Sequence, residues 1–556
     1  MKFTNRKILL VILLVIFVFL RLFVASHYLK IAGDSSKFLK LVKQFPYHRL
    51  SNDQLYLLHA PLYPYFIHFF QIMVDKDYLA AISINLISAI VTFFVLYKFL
   101  MLLTNSFFRT YIVLALFTFS VEFVNNSQIV LRESFIVMLL ITSIYFYVRG
   151  VKLNEKISIF VAALLGATLG LATDHVVFLF PAFGLSYLFF NNKKIYIRKF
   201  QFPNLKYALI PVIITLISYG SWLGVRYYEY STNEYYPLGL EGTPIKTANF
   251  GFIELMNPTY FDTFESGVGV KTTSFLSILK KYSYNLGYMI NMQPFSIPRG
   301  LNFTTVKFLL HPHHIIYMLL IYLPMALIAA YGFFSIIKLI VQKGKLHNNV
   351  ELYFLALFSM FLFPLTQKVV SPRYIHTAYF FMYTIIAYGL IKLIKNSKFL
   401  TTHKKSLIKV VIAAMLLMPI IYYYSNPYFT FSMVKSVGAQ NAAEFINQNI
   451  KKTDAIMSQP GYTYKLLYLT DNRIISLPAN AKDVMPYIQR FNISYIIFGR
   501  YYTFDRYRYS VDSAGYIKSH PEKFKLIAAI QEDYSKFYSP EDEASSDEEY
   551  IYKVIS

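Results

Sequence analysis

The chain has 556 residues, of which 56% are apolar and only 15% charged, with a mean hydropathy of +0.43. Soluble proteins average about 45–50% apolar and about a quarter charged residues, so a water-soluble globular fold is excluded. The absence of cysteine excludes disulfides, thiolate metal sites and cysteine nucleophiles. The net charge of +24 sits mostly in short connectors between apolar runs, which is a topology signal of membrane proteins rather than a nucleic-acid footprint.

A spanning helix needs about 20 mostly apolar residues. Eleven are expected, at roughly 8–27, 79–102, 108–124, 130–148, 157–173, 175–190, 206–224, 314–341, 350–366, 373–394 and 406–424. The first is flanked by Lys2, Arg6 and Lys7 and has no small-x-small cleavage site after it, so it is expected to be a retained helix rather than a signal peptide. With the N-terminus in the cytoplasm, the connectors at 149–156, 191–200, 338–349 and 394–409 all fall inside, and all four are rich in Lys and Arg. The opposite orientation would set every one of them against the positive-inside rule. The loops 28–78 and 225–313, the turn at Asp174–His175 and everything after about 425 are then extracytoplasmic.

Residues 1–428 are therefore expected to form a membrane domain, and 429–556 a separate extracytoplasmic α/β domain. In the latter, 439–450 and Asp483–Phe491 have helical patterns, while Asp454–Met457, Arg473–Leu477 and Ile493–Phe498 have strand patterns. No GxGxxG or GxxxxGK[ST] is present, so nucleotide binding has no support. The acidic run Glu541–Glu549 lacks the spacing of a calcium loop and is expected to be solvated.

Several polar residues fall on the external side. Asp34 lies just past the first span, where it is either a helix N-cap or a catalytic carboxylate. Lys37, Lys40 and Lys43 fit a basic stripe at anionic head groups. His59 precedes Ala60-Pro61-Leu62-Tyr63-Pro64, whose prolines punctuate a helix start and whose aromatics suit the interfacial belt. Arg132 and Glu133 open the fourth span, and Glu133 is favourably placed at the positive end of its dipole. Lys368 and Arg373 lie near the start of the tenth span, where a guanidinium either binds phosphate or anchors the helix end. His311, His313 and His314 have no carboxylate at ligand spacing and fit interfacial histidines better than a metal site. A carboxylate with cations at the membrane boundary is what transfer from a lipid-linked phosphate requires: a base for the acceptor's proton and positive charge for the departing phosphate.

The order of these features resembles the GT-C superfamily of membrane glycosyltransferases: Gly33-Asp34-Ser35-Ser36, then the proline-flanked APLYPYF at 60–66, Arg132-Glu133-Ser134, Ser371-Pro372-Arg373-Tyr374, and a terminal soluble domain. Within it, the set is similar to the protein O-mannosyltransferase and lipid A aminoarabinose transferase branch. The resemblance implies a GT-C fold of about 11 spans. It also implies inverting transfer of a sugar from a polyprenyl-phosphate donor to a protein, lipid or polysaccharide acceptor, at the outer face of the cell (plasma) membrane. Asp34 then matches the family's catalytic base, and His59, Lys368 and Arg373 are donor-phosphate ligands. Asp53, Arg132, Glu133, Asp174 and His175 support them. The family often has an Asp-Glu pair where this chain has Asp34-Ser35; Asp53 is the substitute candidate, and a divalent cation (Mg or Mn) stays open as cofactor. The tryptophan-rich signature of the oligosaccharyltransferase catalytic subunit is absent. Two other readings are a transporter or flippase and a non-catalytic subunit. Transport would predict mid-membrane ionisable residues and an internal repeat, whereas the charges here cluster at span ends, Glu122 excepted, and no repeat is visible.

Overall fold

The computed structural model describes residues 3–27, 35, 38, 39, 41, 42, 61–74, 76–127, 129–172, 205–232, 235–236, 245–246, 319, 323–343, 376–396, 417, 418, 420, 421, 438–459, 466–478, 481–499, 511–533 and 546–555. The membrane part contains α1 (Phe3–His27), α2 (Leu62–Gln71), α3 (Asp77–Thr104), α4 (Phe107–Thr118), α5 (Val121–Asn126), α6 (Glu133–Leu153), α7 (Lys156–Ala172), α8 (Leu205–Thr232), α9 (Leu323–Lys343) and α10 (His376–Asn396). A short antiparallel ribbon joins β1 (Tyr235–Tyr236) to β2 (Ile245–Lys246).

Among the described residues, three helices are long and apolar enough to cross a bilayer: Arg6–Ser26, Asp77–Thr104 and Glu133–Leu153. Each follows the hydropathy of its sequence. Helices α3 and α6 end at Asn105 and Asn154, which take the left-handed conformation with φ of 47° and 56°, one that Asn tolerates better than most residues. The expected third span, 108–124, is instead two helices. Its first part, α4, has 12 residues, about 18 Å at 1.5 Å per residue and too short to cross. The break has a local cause: Ser120 is extended and its hydroxyl accepts the Phe123 amide at 3.5 Å, capping α5. The expected spans 175–190 and 350–366 lie outside the described residues, as does nearly all of 406–424.

Helix α6 packs on α3 and α7, α7 on α8, α10 on both α4 and α9, and α1 on α4 and α5. Helix α1 buries a stripe of Leu13, Phe17, Arg21 and Val24 at helical spacing. Its other faces stay bare, with Val15 60% and Phe19 62% exposed. Ile157 and Phe160 on α7 and Phe334 on α9 are likewise exposed. In water such a surface would be an apolar patch; in hydrocarbon it matches its solvent.

The C-terminal segment builds a five-stranded sheet in the order β4-β3-β5-β7-β6, from β3 (Ala455–Ser458), β4 (Arg473–Ser476), β5 (Ile493–Gly499), β6 (Phe524–Asp533) and β7 (Ser546–Val554). Strands β3, β4 and β5 are parallel, while β7 runs antiparallel to both β5 and β6. Both faces are covered. Ile456, Ile474, Ile497 and Ile551 pack against α11 (Gly438–Asn449) and the helical turn 466–469. Met457, Ile475, Ile496 and Phe498 pack on the opposite face against α12 (Val484–Phe491) and α13 (Val511–Ser519). Strand alternation explains the split, since neighbouring residues point to opposite faces.

The acidic run needs correction. Residues 541–545 lie outside the described set, but Ser546–Glu549 open β7, and Glu549 is fully buried. The apolar alternation of Tyr550–Val554 carries the strand backward into the acidic residues, because β7 is bonded on both sides by β5 and β6.

Candidate functional site

Asp34, Asp53, His59, Asp174, His175, Lys368 and Arg373 lie outside the described residues, as do Lys37, Lys40, Lys43, His311, His313, His314 and the Glu122 side chain. Arg132 and Glu133 are described, and around them the structure assembles a buried polar layer from three of the connectors singled out above.

Tyr63, from the APLYPYF stretch, is fully buried on α2. Its hydroxyl donates to Asn85 Oδ1 on α3 at 3.1 Å, and Asn85 Nδ2 donates to the Ile129 carbonyl at 2.8 Å. The Tyr63 ring meets Phe38 edge-on at 5.3 Å and Phe135 at 5.9 Å. Burial pushes the Tyr63 phenol well above its ordinary range; the Asn85 hydrogen bond opposes the shift and the negative field of Glu133 adds to it. Tyr63 is therefore a neutral hydrogen-bond donor and not an acid–base group at ordinary pH.

Arg132 and Glu133 are 5% and 8% exposed at the start of α6. Arg132 Nη1 donates to the carbonyl of Ala172, the last residue of α7, at 3.4 Å. The final carbonyls of a helix lack intrahelical partners and carry its negative dipole end, so a guanidinium suits them. The same guanidinium lies 5.9 Å from the Phe38 ring. Arg132 thus touches the first loop through Phe38 and reaches the end of α7 immediately before the Thr173–His175 turn of the sequence. Glu133, in the first turn of α6, puts a buried carboxylate next to these groups at a favourable dipole end.

Between residues 28 and 60 the described residues are Ser35, Phe38, Leu39, Leu41 and Val42, and all five are helical. Ser35, Phe38, Leu39 and Val42 fall at the spacing of one helix face and are buried; Phe38, Leu39 and Val42 join the membrane-domain core with Tyr63 and Ile67. Leu41 leaves that face by about a third of a turn and joins Ala442, Ala443, Ile446, Leu466 and Leu467 in the C-terminal core. Tyr468 Oη donates to Asp77 Oδ1, in the first turn of α3, at 2.7 Å. Burial raises the Tyr468 phenol above its usual value, and the Asp77 carboxylate raises it further.

Sequence reasoning passed over Asn85, Arg21 and the Asp77–Tyr468 pair. Asn85 and Arg21 carried a usable signal, a strongly polar side chain inside an apolar span; the Asp77–Tyr468 bond, between residues 391 apart, carried none. Arg21 is 1% exposed, stacks with Cζ 3.4 Å from the Phe17 ring centroid and 5.6 Å from Phe117, and donates to the Phe17 carbonyl at 3.1 Å. It lies five residues from the Ser26 end of its span, about 7.5 Å in, so it extends the end-clustered charge pattern and does not mark a mid-membrane pathway. Among the described residues, no group of three or more His, Asp or Glu is arranged to hold a metal ion.

The profile of the dolichyl-phosphate-mannose-protein mannosyltransferase family matches residues 58–222, the stretch that holds Tyr63, Asn85, Arg132 and Glu133. A comparison with curated proteins gives no match. Among solved structures, the chain is similar to ArnT from Cupriavidus metallidurans in the apo state, with a TM-score of 0.56 at 9% identity, covering 99% of this chain and 98% of that one. It is similar also to the same protein bound to undecaprenyl phosphate, with a TM-score of 0.51 at 10% identity and the same coverage. With its apolar helices and this end-to-end likeness, the chain has a membrane-protein fold similar to that of ArnT, and its residues 58–222 match the mannosyltransferase family.

Proposed function

We propose that the protein is an inverting glycosyltransferase that moves a sugar from a polyprenyl-phosphate donor to an acceptor on the extracytoplasmic side of the cell (plasma) membrane. The observation that carries this reading is the coincidence of a fold similar to a protein bound to undecaprenyl phosphate with a mannosyltransferase-family match over 58–222. That match includes His59, Arg132, Glu133, Asp174 and His175, and leaves out Asp34, Asp53, Lys368 and Arg373. Support for placing the first loop and the C-terminal domain, 429–556, on one side of the membrane comes from Leu41 and Tyr468, which tie the two together.

In this reading the acceptor oxygen attacks the anomeric carbon opposite the lipid phosphate. The new C–O bond forms as the bond to the phosphate oxygen breaks, with inversion, and Asp34 takes the acceptor's proton. His59, Lys368 and Arg373 stabilise the charge gained by the leaving phosphate. Arg132 and Glu133 hold the polar layer behind the first-loop helix, with Asp53, Asp174 and His175 as further supporting groups. A bound Mg or Mn ion would add positive charge at the phosphate.

The test is sugar transfer by membranes carrying wild type or Asp34→Asn, supplied with radiolabelled polyprenyl-phosphate sugars and a native extract as acceptor source. Loss of a general base costs about 10²–10⁴-fold, so transfer should collapse in the variant at equal expression. Equal transfer by both would remove Asp34 as the base. No transfer by wild type from any donor would reject the transferase reading in favour of transport or a non-catalytic role.

A further inference from the structure

Resting on that reading, we propose that the C-terminal domain is a positioning device for the reaction: it clasps the first-loop helix against the membrane domain, with Tyr468 and Leu41 as its positioning residues. The first-loop helix has two separate partners. Phe38, Leu39 and Val42 are buried in the membrane-domain core. Leu41, 1% exposed, is buried instead in the core that α11, β3 and the 466–469 turn share.

A second, independent tie runs in the opposite direction. The turn 466–469 keeps Leu466 and Leu467 in its own core and sends Tyr468 into the membrane-domain core, where its hydroxyl meets Asp77. Leu469 packs against both cores. Asp77 Oδ1 also accepts the Tyr78 amide at 2.8 Å, so one carboxylate bonds both the first turn of α3 and the C-terminal domain. The two contacts hold the first loop at two places, at Leu41 and, at its far end, at Asp77. Leu41 follows Ser35, which is helical and is the covalent neighbour of Asp34, by six residues.

Apolar packing gives the clasp adhesion and the buried hydroxyl–carboxylate bond gives it a register. An apolar face alone tolerates sliding, whereas a hydroxyl–carboxylate bond is made only within a narrow range of distance and angle. Catalysis is sensitive at this level, since a misplacement of about 1 Å costs about 10²-fold in rate. Removal of the whole C-terminal domain is therefore a poor probe of that domain's own role, because it unclasps the helix that follows Asp34.

The experiment measures transfer kinetics of the full chain with a radiolabelled polyprenyl-phosphate sugar for wild type, Tyr468→Phe, Leu41→Ala, Asp77→Ala and Asp77→Asn. Tyr468→Phe, Leu41→Ala and Asp77→Ala are each expected to lower kcat about tenfold or more with donor KM within about twofold. Asp77→Asn keeps an acceptor oxygen for both donors and should stay near wild type. The double variant Asp77→Ala/Tyr468→Phe should be no slower than its worse parent, because both remove one bond. A physical readout accompanies the rates. The chain has no cysteine, so Leu41→Cys reports the clasp by maleimide labelling, which should be slow alone and faster when combined with Tyr468→Phe. If wild type transfers sugar and the variants keep kcat within twofold, the clasp has no role in the reaction. Unchanged labelling in the Tyr468→Phe background overturns the clasp itself. If wild type transfers nothing, the transferase reading fails first, and the positioning role fails with it.

Discussion

Replacing Asn85 by Leu isolates the polar layer that supports the candidate site. Asn85 is 0% exposed and bridges two other groups, accepting from the Tyr63 hydroxyl at 3.1 Å and donating to the Ile129 carbonyl at 2.8 Å. Leucine keeps the same branched side-chain skeleton but is bulkier, so any overpacking adds to the loss while both partners lose their bonds. A stranded buried group costs about 1–3 kcal/mol, and relief from burying the amide itself returns about 1–3 kcal/mol. The net expectation is a loss of about 1–3 kcal/mol. Hydrogen bonds between membrane helices average nearer 0.6 kcal/mol because the unfolded chain finds partners in the bilayer, which sets a floor. The sharper expectation is the sign of a coupling. Tyr63→Phe alone loses one bond and destabilises, whereas in the Asn85→Leu background it removes a stranded hydroxyl and stabilises by about 1 kcal/mol or more. Equilibrium unfolding of the purified protein in mixed micelles, titrated with SDS, measures all four corners of the cycle. Additive losses, with Tyr63→Phe equally harmful in both backgrounds, would refute the bridge.

Two further perturbations follow from the packing and the charges. Helices α9 and α10 cross at a reciprocal glycine pair. A Cβ on Gly332 would collide with the Ile385 carbonyl oxygen and lie 3.3 Å from Gly389 Cα, and one on Gly389 would collide with the Ile328 carbonyl. Gly389→Ala should therefore cost about 1–3 kcal/mol by overpacking, read as loss of folded protein after a heat step in detergent, while Gly220→Ala, with nothing within 4 Å, should be neutral. In the α6–α7 connector, hydrogen bonds from Arg149 and then Ser158 hold the Glu155 carboxyl below its ordinary value of 4.5. A depressed carboxylate stabilises above its unfolded pKa and loses that stabilisation as pH falls through the folded one. Glu155→Gln should thus differ slightly from wild type at pH 7 and converge with it below pH 4.5. Both side chains keep over a third of their surface, at 38% and 36%, so about 0.5 M salt should shrink the difference; a gap that survives acid and salt would count against the pair.

Hydropathy carried the spans that behave as single rods. Asp77–Thr104 and Glu133–Leu153 follow from composition because a bilayer leaves the backbone few other options. Composition did not show the break at Phe119–Ser120, since a serine reads as tolerable inside an apolar window and only its capping of the Phe123 amide ends the rod. In the C-terminal segment the parallel strands carry concentrated Ile and are legible as short apolar runs; β3 and β5 lie within a residue of expectation, at Ala455–Ser458 and Ile493–Gly499. Strands β6 and β7 were not legible, because Lys, Gln, Asp and Glu interrupt their alternation and the pairing that makes them strands is long-range. At the site, Arg132 and Glu133 stood out as ionisable residues at a span end. The roles of Tyr63 and Asp77 depend on partners 22 and 391 positions away, which no local pattern encodes.

The polar layer and the clasp meet at neighbouring helical residues of the first loop, and this constrains how the site can be built. Phe38 lies edge-on to Tyr63 and 5.9 Å from the Arg132 guanidinium, while Leu41, less than one turn away, belongs to the C-terminal core. A shift of the sheet relative to the bundle therefore cannot be absorbed by an intervening flexible joint at this point; close-packed side chains transmit displacement, and the shift would press on the Phe38–Tyr63–Arg132 contacts. The stretch that matches the mannosyltransferase family begins at residue 58 and ends at 222, so it contains the bundle side of these contacts and neither the first-loop helix nor the domain that grips it. A chain can thus keep the bundle side and change the loop and the domain only together, because Leu41 and Tyr468 each need a complementary surface across the seam. Transplanting the C-terminal segment alone into another chain of similar fold would leave Tyr468 without Asp77 and the pocket without Leu41, and losing both contacts disfavours the docked state.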